Sequence, residues 1–150
     1  MRVVIQRASE ASVTINNKIH AAIGRGFMML VGIETTDSTE DAEWLAGKVA
    51  GLRIFDDENG VMNRSVTDIR GELLVISQFT LHALTKKGNR PSYIRAAGHE
   101  KAIPLYENFC KLLSEKTAIP VKTGIFAADM KVALINDGPV TILIDSKNKE

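Results

Sequence analysis

The chain has 150 residues, of which 45% are hydrophobic and 25% are charged, a balance typical of one globular domain with its own hydrophobic core. Its 19 basic and 18 acidic residues leave a net charge of +1, so any contact with nucleic acid must be local. One cysteine excludes an internal disulfide, and no apolar stretch reaches the roughly 20 residues of a membrane span. With no signal-peptide pattern, we expect a cytoplasmic protein without membrane association.

Short runs rich in β-branched residues, separated by Asn and Gly, fill the first 33 residues and predict a meander of β-strands. The strands are expected at residues 2–8, 12–15, 19–23 and 27–33. An N-cap pattern at Asp37, with Glu40 three residues later, then predicts a helix over roughly residues 38–51. A hairpin over residues 53–62 and a buried strand over residues 73–76 follow.

The second half of the chain contains a long polar connection, residues 83–100, and connections of this length are usually functional or disordered. A second helix with one apolar face follows, and Pro104 is expected in its first turn, where a missing N–H costs little. Strands over residues 131–135 and 140–145 close the chain. Two helices among many short strands predict an α+β fold with a largely antiparallel sheet or barrel.

The common catalytic and metal-binding patterns are missing from the sequence. His20, His82 and His99 are scattered, without a partner at the spacing of metal ligands, so we expect no metal and no cofactor. Neither a Gly-x-Ser-x-Gly elbow nor a phosphate-binding glycine loop occurs. Cys110 lies in a helical apolar pattern and is expected to be a packed core residue rather than a nucleophile.

The stretch SQFTL, residues 77–81, places polar side chains directly after an apolar strand. On a continuing strand Thr80 and His82 would share a face but stand about 6–7 Å apart, too far for the histidine to activate a threonine nucleophile directly. If the strand instead ends at Gln78, the turning backbone can direct consecutive N–H groups into a cleft, as stabilisation of a carbonyl oxyanion requires. The simpler alternative is a strand end whose Phe79 fills the core.

A second unusual stretch is Asn136-Asp137-Gly138-Pro139. Asp-Gly is typical of a tight hairpin, but proline fixes φ and cannot donate a ladder hydrogen bond, so Pro139 must stand at a strand's first residue. A rigid hairpin is the simple interpretation. A cis Gly138–Pro139 bond would instead expose a ridge of backbone oxygens with few side chains, which could select a substrate by its shape.

These two stretches, together with the opening VVIQRA at residues 3–8 and GNRPS at residues 88–92, resemble the D-aminoacyl-tRNA deacylase family over essentially the whole chain. The resemblance implies one deacylase domain over residues 1–150 with that family's α+β fold. It also implies a homodimeric, metal-independent hydrolase that releases D-amino acids, and mischarged glycine, from the 3′ end of tRNA.

The resemblance implies specific roles for several residues. Gly138 and Pro139 would form a cis motif that enters the partner subunit's pocket, holds the substrate amine and leaves no room for an L side chain. Arg7 would help to orient that motif, although a strand arginine is otherwise most often a solvated edge charge. The catalytic stretch of the family, including the position often proposed as nucleophile, falls on Ser77, Gln78, Phe79 and Thr80.

Residues 124–130 resemble the family's pocket for the terminal adenosine, where Phe126 would stack on the base and Met130 would pack beside it. Both residues would otherwise be ordinary core residues. The long connection adds four cations that would either contact phosphates or form a solvated loop: Lys86, Lys87, Arg90 and Arg95.

An aminoacyl ester on ribose is already activated by the neighbouring 2′-hydroxyl, so a protein can hydrolyse it by orienting it and stabilising the oxyanion. Two other classes of function stay open at this stage. A Thr80-nucleophile esterase for small molecules would form a covalent acyl-enzyme. An RNA-binding module without catalysis would bind tRNA but not turn it over.

Overall fold

Eight β-strands and two α-helices form the fold in this computed structural model, which describes residues 1–150. The strands are β1 (Arg2–Ile15), β2 (Lys18–Ile23), β3 (Gly26–Gly32), β4 (Phe55–Asp56), β5 (Met62–Arg64), β6 (Glu72–Ser77), β7 (Val121–Thr123) and β8 (Lys131–Asp145). The helices are α1 (Thr39–Ala50) and α2 (His99–Thr117), and a 3₁₀ turn, Phe79–His82, follows β6. Neither helix has the length and apolar character that crossing a membrane would require.

Strand β1 organises the main sheet. Its residues 2–8 pair antiparallel with β3, its residues 11–15 pair antiparallel with β2, and β8 runs antiparallel to it along its other edge. Strand β6 pairs parallel with β3, and β7 pairs parallel with β6. The sheet curves until β2 approaches β7, where Lys122 Nζ donates to Ala22 O at 2.7 Å, and it nearly closes into a barrel. The predicted α+β class is confirmed, with two parallel pairings among the antiparallel ones.

Of the two interpretations of residues 136–139, the hairpin between separate strands is wrong, because β8 is one continuous 15-residue strand. Its pairing with β1 passes from Gln6 opposite Thr141 to Ala8 opposite Asn136. Residues 137–140 therefore bulge out opposite the single residue Arg7. Because Pro139 has no N–H, a break in the ladder at this point loses little hydrogen bonding.

Strand β1 was also expected as two strands, residues 2–8 and 12–15, and is one strand with register shifts around Ala8. Both long strands are continuous because they are hydrogen-bonded to each other across these irregularities. This pairing joins residues at least 117 positions apart in sequence, from Thr14 opposite Lys131 upward, which a local pattern does not reveal.

Both helices are confirmed, but their first residues differ from the prediction. Helix α1 has Ser38 as its N-cap, and Asp41 accepts the Ser38 N–H at 2.9 Å, one residue later than the predicted pair Asp37 and Glu40. Helix α2 begins at His99, so Pro104 lies inside the helix rather than in its first turn. The neighbouring Ala102 and Leu105 are buried, and this packing holds the helix together despite the hydrogen bond that proline removes.

The larger of two apolar clusters lies between the sheet and the two helices and includes Phe27, Leu45, Leu73 and Phe109. Cys110 belongs to this cluster, as predicted, and burial raises the pKa of its thiol to about 12. A thiol with such a pKa is not a nucleophile near neutral pH. A second, smaller cluster on the other side of the sheet contains Ala8, Met28 and Ile76.

Candidate active site

The strand β6 ends at Ser77, and the chain turns sharply at Gln78, which is the second of the two arrangements expected for SQFTL. The Gln78 N–H still donates to Val31 O at 2.7 Å, in line with the parallel β3–β6 ladder. The 3₁₀ turn then closes through hydrogen bonds from Leu81 N to Gln78 O at 3.3 Å and from Ala83 N to Thr80 O at 3.1 Å.

This turn leaves two backbone donors free. Neither the Phe79 N–H nor the Thr80 N–H donates a hydrogen bond to another group of the chain. The Gln78 side chain spans the turn, because its Nε2 donates to Thr80 Oγ1 at 2.6 Å. The turn thus presents two neighbouring N–H groups on a backbone that its own hydrogen bonds hold in place.

The Thr80–His82 pair considered from the sequence does not form. His82 is buried, and neither of its ring nitrogens has a hydrogen-bond partner, so it makes no contact with the Thr80 hydroxyl. The partner that the hydroxyl does have is the Gln78 amide, which is not a base. Thr80 therefore lacks the general base that an alcohol nucleophile needs near neutral pH.

A cavity of about 350 Å³ opens beside this turn. Ser77 and Phe79 line it, and Phe79 is 55% exposed, so the alternative in which Phe79 fills the core is wrong. The Phe79 ring meets the Tyr93 ring edge to face, with ring centroids 5.0 Å apart. The remaining walls are mostly apolar and come from the end of β3 and the residue after it, the segment that leads into α2, the first turn of α2 and the segment before β8: Val31, Ile33, Ala96, Ala97, Gly98, His99, Ala102, Phe126 and Ala127.

Phe126 is the aromatic residue of segment 124–130 that reaches the cavity. Its ring makes edge contacts with His99, at 5.5 Å between centroids, and with Tyr106, at 6.0 Å. Met130 does not line the cavity; its sulfur lies against Gly124, and its side chain packs on the smaller apolar cluster. Phe126 thus stands where a base could stack, whereas Met130 supports the segment from behind.

Sequence reasoning missed two polar residues of this cavity, Tyr93 and His99. Tyr93 directly follows the GNRPS stretch, and His99 is the first residue of α2. Their place beside Phe79 and Phe126 results from tertiary packing. The only sequence signal was that both residues lie in, or at the end of, a connection too long to be a simple link.

Arg7 and the bulge of β8 form a second group. Arg7 is only 7% exposed, so it is not a solvated edge charge. Its Nε donates to Asp137 O at 2.9 Å, and its Nη1 donates to Ile54 O at 2.8 Å and to Asp56 Oδ1 at 3.2 Å. The guanidinium therefore fixes the peptide just before Gly138 to the body of the protein.

The Gly138–Pro139 bond at the tip of this bulge is cis, as the family resemblance implies. Gly138 has φ +129°, a conformation that L side chains rarely adopt, and a Cβ placed there would lie 2.9 Å from Arg7 Nη2. On the far side of the tip, the Val140 N–H donates a hydrogen bond to Asn136 Oδ1 at 3.1 Å. Gly138 and Pro139 are themselves exposed, so the bulge offers a firmly held ridge of backbone to the surroundings.

The structure thus brings Ser77, Phe79 and Phe126 together around one cavity, with Gln78 and Thr80 in the turn beside it. Arg7, Gly138 and Pro139 do not line that cavity. The four cations of the long connection do not act as one group. Arg95 is bound to Glu34, with Arg95 Nε 3.0 Å from Glu34 Oε2. Lys86, Lys87 and Arg90 are exposed and make no ion pair.

Free backbone N–H groups on a rigid turn beside an apolar cavity are suited to an enzyme that hydrolyses activated esters by stabilising an oxyanion. The family model described as D-Tyr-tRNA(Tyr) deacylase matches residues 4–145 of the chain. The chain belongs to this family, and it is an enzyme of the deacylase class of hydrolases.

Similar proteins carry the name of this family, and solved structures share the fold. The D-aminoacyl-tRNA deacylase of Bacteroides fragilis is 67% identical over 150 residues, and that of Flavobacterium psychrophilum is 64% identical over 150 residues; in both cases 100% of each chain is covered. The solved c-Myc DNA unwinding element binding protein is 39% identical, with a TM-score of 0.91 over 97% of this chain and 98% of its own. A probable eukaryotic D-amino acid tRNA deacylase, 17% identical, has the same fold, with a TM-score of 0.81 over 95% of this chain and 97% of its own.

Proposed function

We propose that the protein hydrolyses the ester bond of D-aminoacyl-tRNA, and of mischarged glycyl-tRNA, and releases the free amino acid and the tRNA. Residues 1–150 act as one deacylase domain in the cytoplasm, where the tRNA pool is proofread. The observation that carries this proposal is the 67% identity to a D-aminoacyl-tRNA deacylase over the full length of both chains. The cavity beside the 3₁₀ turn supports it, because it offers an aromatic platform and free N–H donors in one place.

The terminal adenosine of the tRNA enters the cavity and stacks on Phe126. This places the ester next to the turn that carries Phe79 and Thr80, whose N–H groups have no other partner. Water adds to the ester carbonyl carbon, and the two N–H groups stabilise the oxyanion that forms. The intermediate then collapses, the bond from the carbonyl carbon to the ribose oxygen breaks, and that oxygen takes up the proton that the attacking water gives up.

In this mechanism Ser77, Gln78, Phe79 and Thr80 shape and orient the site rather than supply a covalent nucleophile. The contact from Gln78 to the Thr80 hydroxyl holds the turn, and no base contacts that hydroxyl. The neighbouring 2′-hydroxyl of the substrate assists attack, so the protein contributes position and electrostatics. Removing one preorganised oxyanion donor typically costs about 10²–10³ in kcat, and two such donors supply a large part of the acceleration.

Chirality is controlled by a second copy of the chain in a homodimer. The ridge formed by Gly138 and Pro139 is exposed, is anchored by Arg7, and does not line the cavity of its own chain. We assign it to the cavity of the partner subunit. There its carbonyl oxygens bind the substrate amine, and its backbone occupies the space that an L side chain would need, whereas glycine and D-residues fit.

The test compares four substrates in one ester-release assay: D-aminoacyl-tRNA, L-aminoacyl-tRNA, glycyl-tRNA and a small D-amino acid ester. The proposal expects rapid release from the D- and glycyl-tRNA, and no release from the L-substrate above its spontaneous rate. A small-molecule esterase would hydrolyse the small ester and form an acyl-enzyme at Thr80. A nucleic-acid-binding module, the role that the name of the unwinding-element relative describes, would bind tRNA without any turnover.

A further inference from the structure

A short tip projects from the long connection between the 3₁₀ turn and α2. Leu84 and Ser92 close it by exchanging two backbone hydrogen bonds, from Leu84 N to Ser92 O at 2.8 Å and from Ser92 N to Leu84 O at 3.0 Å. We call residues 84–92 the basic tip, because they contain Lys86, Lys87 and Arg90 and no acidic residue.

The three cations of the basic tip have no acidic partner. Lys86, Lys87 and Arg90 are exposed and take part in none of the ion pairs of the structure. Arg95, just beyond the tip, instead forms an ion pair with the buried carboxylate of Glu34. In a chain with a net charge of +1, three unpaired cations within five residues form a concentrated local positive charge.

The base of the basic tip is fixed at the rim of the cavity. Tyr93, the next residue, contacts the Phe79 ring, and both side chains line the cavity. Further along, the Thr35 N–H donates to Arg95 O at 3.0 Å, and the Ala97 N–H donates to Ile33 O at 2.9 Å. The tip therefore emerges beside the opening through which the proposed terminal nucleotide enters.

We propose that the basic tip binds the phosphates of the tRNA strand that leads into the cavity. This inference rests on the proposed function, because a nucleotide bound in the cavity brings the phosphates that precede it to the same rim. Three cations without neighbouring acids suit a polyanionic backbone, and phosphate contacts of this kind position a nucleic acid without reading its sequence. The tip thus raises affinity for every tRNA equally and takes no part in choosing the amino acid.

The test uses the triple variant Lys86→Ala, Lys87→Ala, Arg90→Ala and two substrates, D-aminoacyl-tRNA and the short 3′-(D-aminoacyl)adenosine. For the tRNA substrate we expect KM to rise about tenfold or more with kcat unchanged, and the slope of log KM against log salt to fall by about 2–3. For the short substrate, which lacks the preceding phosphates, both constants should stay at the wild-type values.

A matched control removes three exposed lysines away from the cavity, Lys18→Ala, Lys111→Ala, Lys116→Ala, so that the net charge changes equally. This control should leave the salt slope close to the wild-type value. Unchanged KM and salt slope in the tip variant would overturn the inference, and so would an equal KM increase for the short substrate. If the wild type hydrolyses neither substrate, the proposed function fails. The basic tip is then tested by measuring how binding of uncharged tRNA depends on salt. A smaller salt slope in the tip variant supports the inference, and an unchanged slope overturns it.

Discussion

The Gly138→Ala substitution tests how the ridge of β8 is held. An added Cβ would lie 2.8 Å from Val140 Cγ2 and 2.9 Å from Arg7 Nη2, closer than such contacts normally come. It would also have to sit at φ +129°, which costs an L residue about 1–3 kcal/mol. Arg7 is buried and bound to Ile54 O, so it cannot withdraw without weakening hydrogen bonds to a charged group, worth about 1.5–3 kcal/mol.

Together these effects predict a loss of about 2.5–6 kcal/mol, divided between a lower free energy of unfolding and a displaced ridge. Urea unfolding measures the first part, and kcat/KM for D-aminoacyl-tRNA measures the second. We expect both to fall, with kcat/KM reduced about 10²-fold, because roughly 1.4 kcal/mol corresponds to a factor of ten. Discrimination against the L-substrate should weaken at the same time.

The matched control is Gly60→Ala in the turn between β4 and β5. Gly60 also has a positive φ, +73°, but no atom lies within 4 Å of the position of its added Cβ. The control therefore introduces backbone strain without a steric clash, and it should lose about 1–2 kcal/mol of stability and keep full activity. If Gly138→Ala behaves like Gly60→Ala in both assays, the argument that Arg7 and Gly138 hold a rigid, functional ridge is refuted.

Four further outcomes are expected. Thr80→Ala should keep kcat within about tenfold of the wild type, because no base contacts its hydroxyl; complete loss with intact tRNA affinity would favour a nucleophile. His99→Ala should raise KM more than it lowers kcat, because the imidazole supports the Phe126 platform; a pure kcat effect would contradict this. The active form should sediment as a dimer, and an active monomer at assay concentration would disprove the shared cavity. Acid should destabilise the fold below about pH 4, as measured by urea unfolding against pH, and Asp41→Asn should flatten that dependence.

The acid effect follows from carboxyl groups whose pKa is lowered in the folded state, and two of them, Asp41 and Asp145, are buried. Burial opposes ionisation of Asp41, but hydrogen bonds from Lys147, Ser146 and the Ser38 N–H outweigh it and hold its pKa well below the usual range. Burial likewise opposes ionisation of Asp145, and Arg2 outweighs it and lowers that pKa. A carboxyl group whose pKa is lowered by folding stabilises the folded state at pH values above its unfolded pKa. This stabilisation is lost as the pH falls through the pKa that the group has in the folded state. A free energy of unfolding that stays constant between pH 5 and about pH 3 would contradict this assignment.

Much of the fold was predictable from local patterns, because β-branched runs and a 3.6-residue apolar period depend on neighbours in sequence. The turn at Gln78 and the cis bond before Pro139 were also anticipated, the second through the family resemblance. The continuity of β8 was not anticipated. Its hydrogen bonds to β1 continue on both sides of the bulge, and only the partner strand specifies that register. The parallel pairing of β3 with β6 joins strands on either side of α1 and was hidden for the same reason.

The candidate site was predictable only in part. Phe126 was placed correctly at a cavity, whereas Met130 turned out to pack behind Gly124, since both residues share one apolar pattern and only the fold separates their environments. Tyr93 and His99 have no chemical motif of their own. In the sequence Arg95 groups with the free cations of the long connection, whereas in the fold it is paired with Glu34. Side chains that meet across distant segments carry little signal in one sequence.

The measurement that tests the central claim most directly is the rate of ester release from D-tyrosyl-tRNA and from L-tyrosyl-tRNA, made with the same tRNA and the same wild-type protein under single-turnover conditions. The account predicts rapid release of D-tyrosine and a rate for the L-substrate equal to its spontaneous hydrolysis. Equal enzymatic rates on both substrates would contradict the steric role of the Gly138–Pro139 ridge, and no release from either would contradict the deacylase function itself.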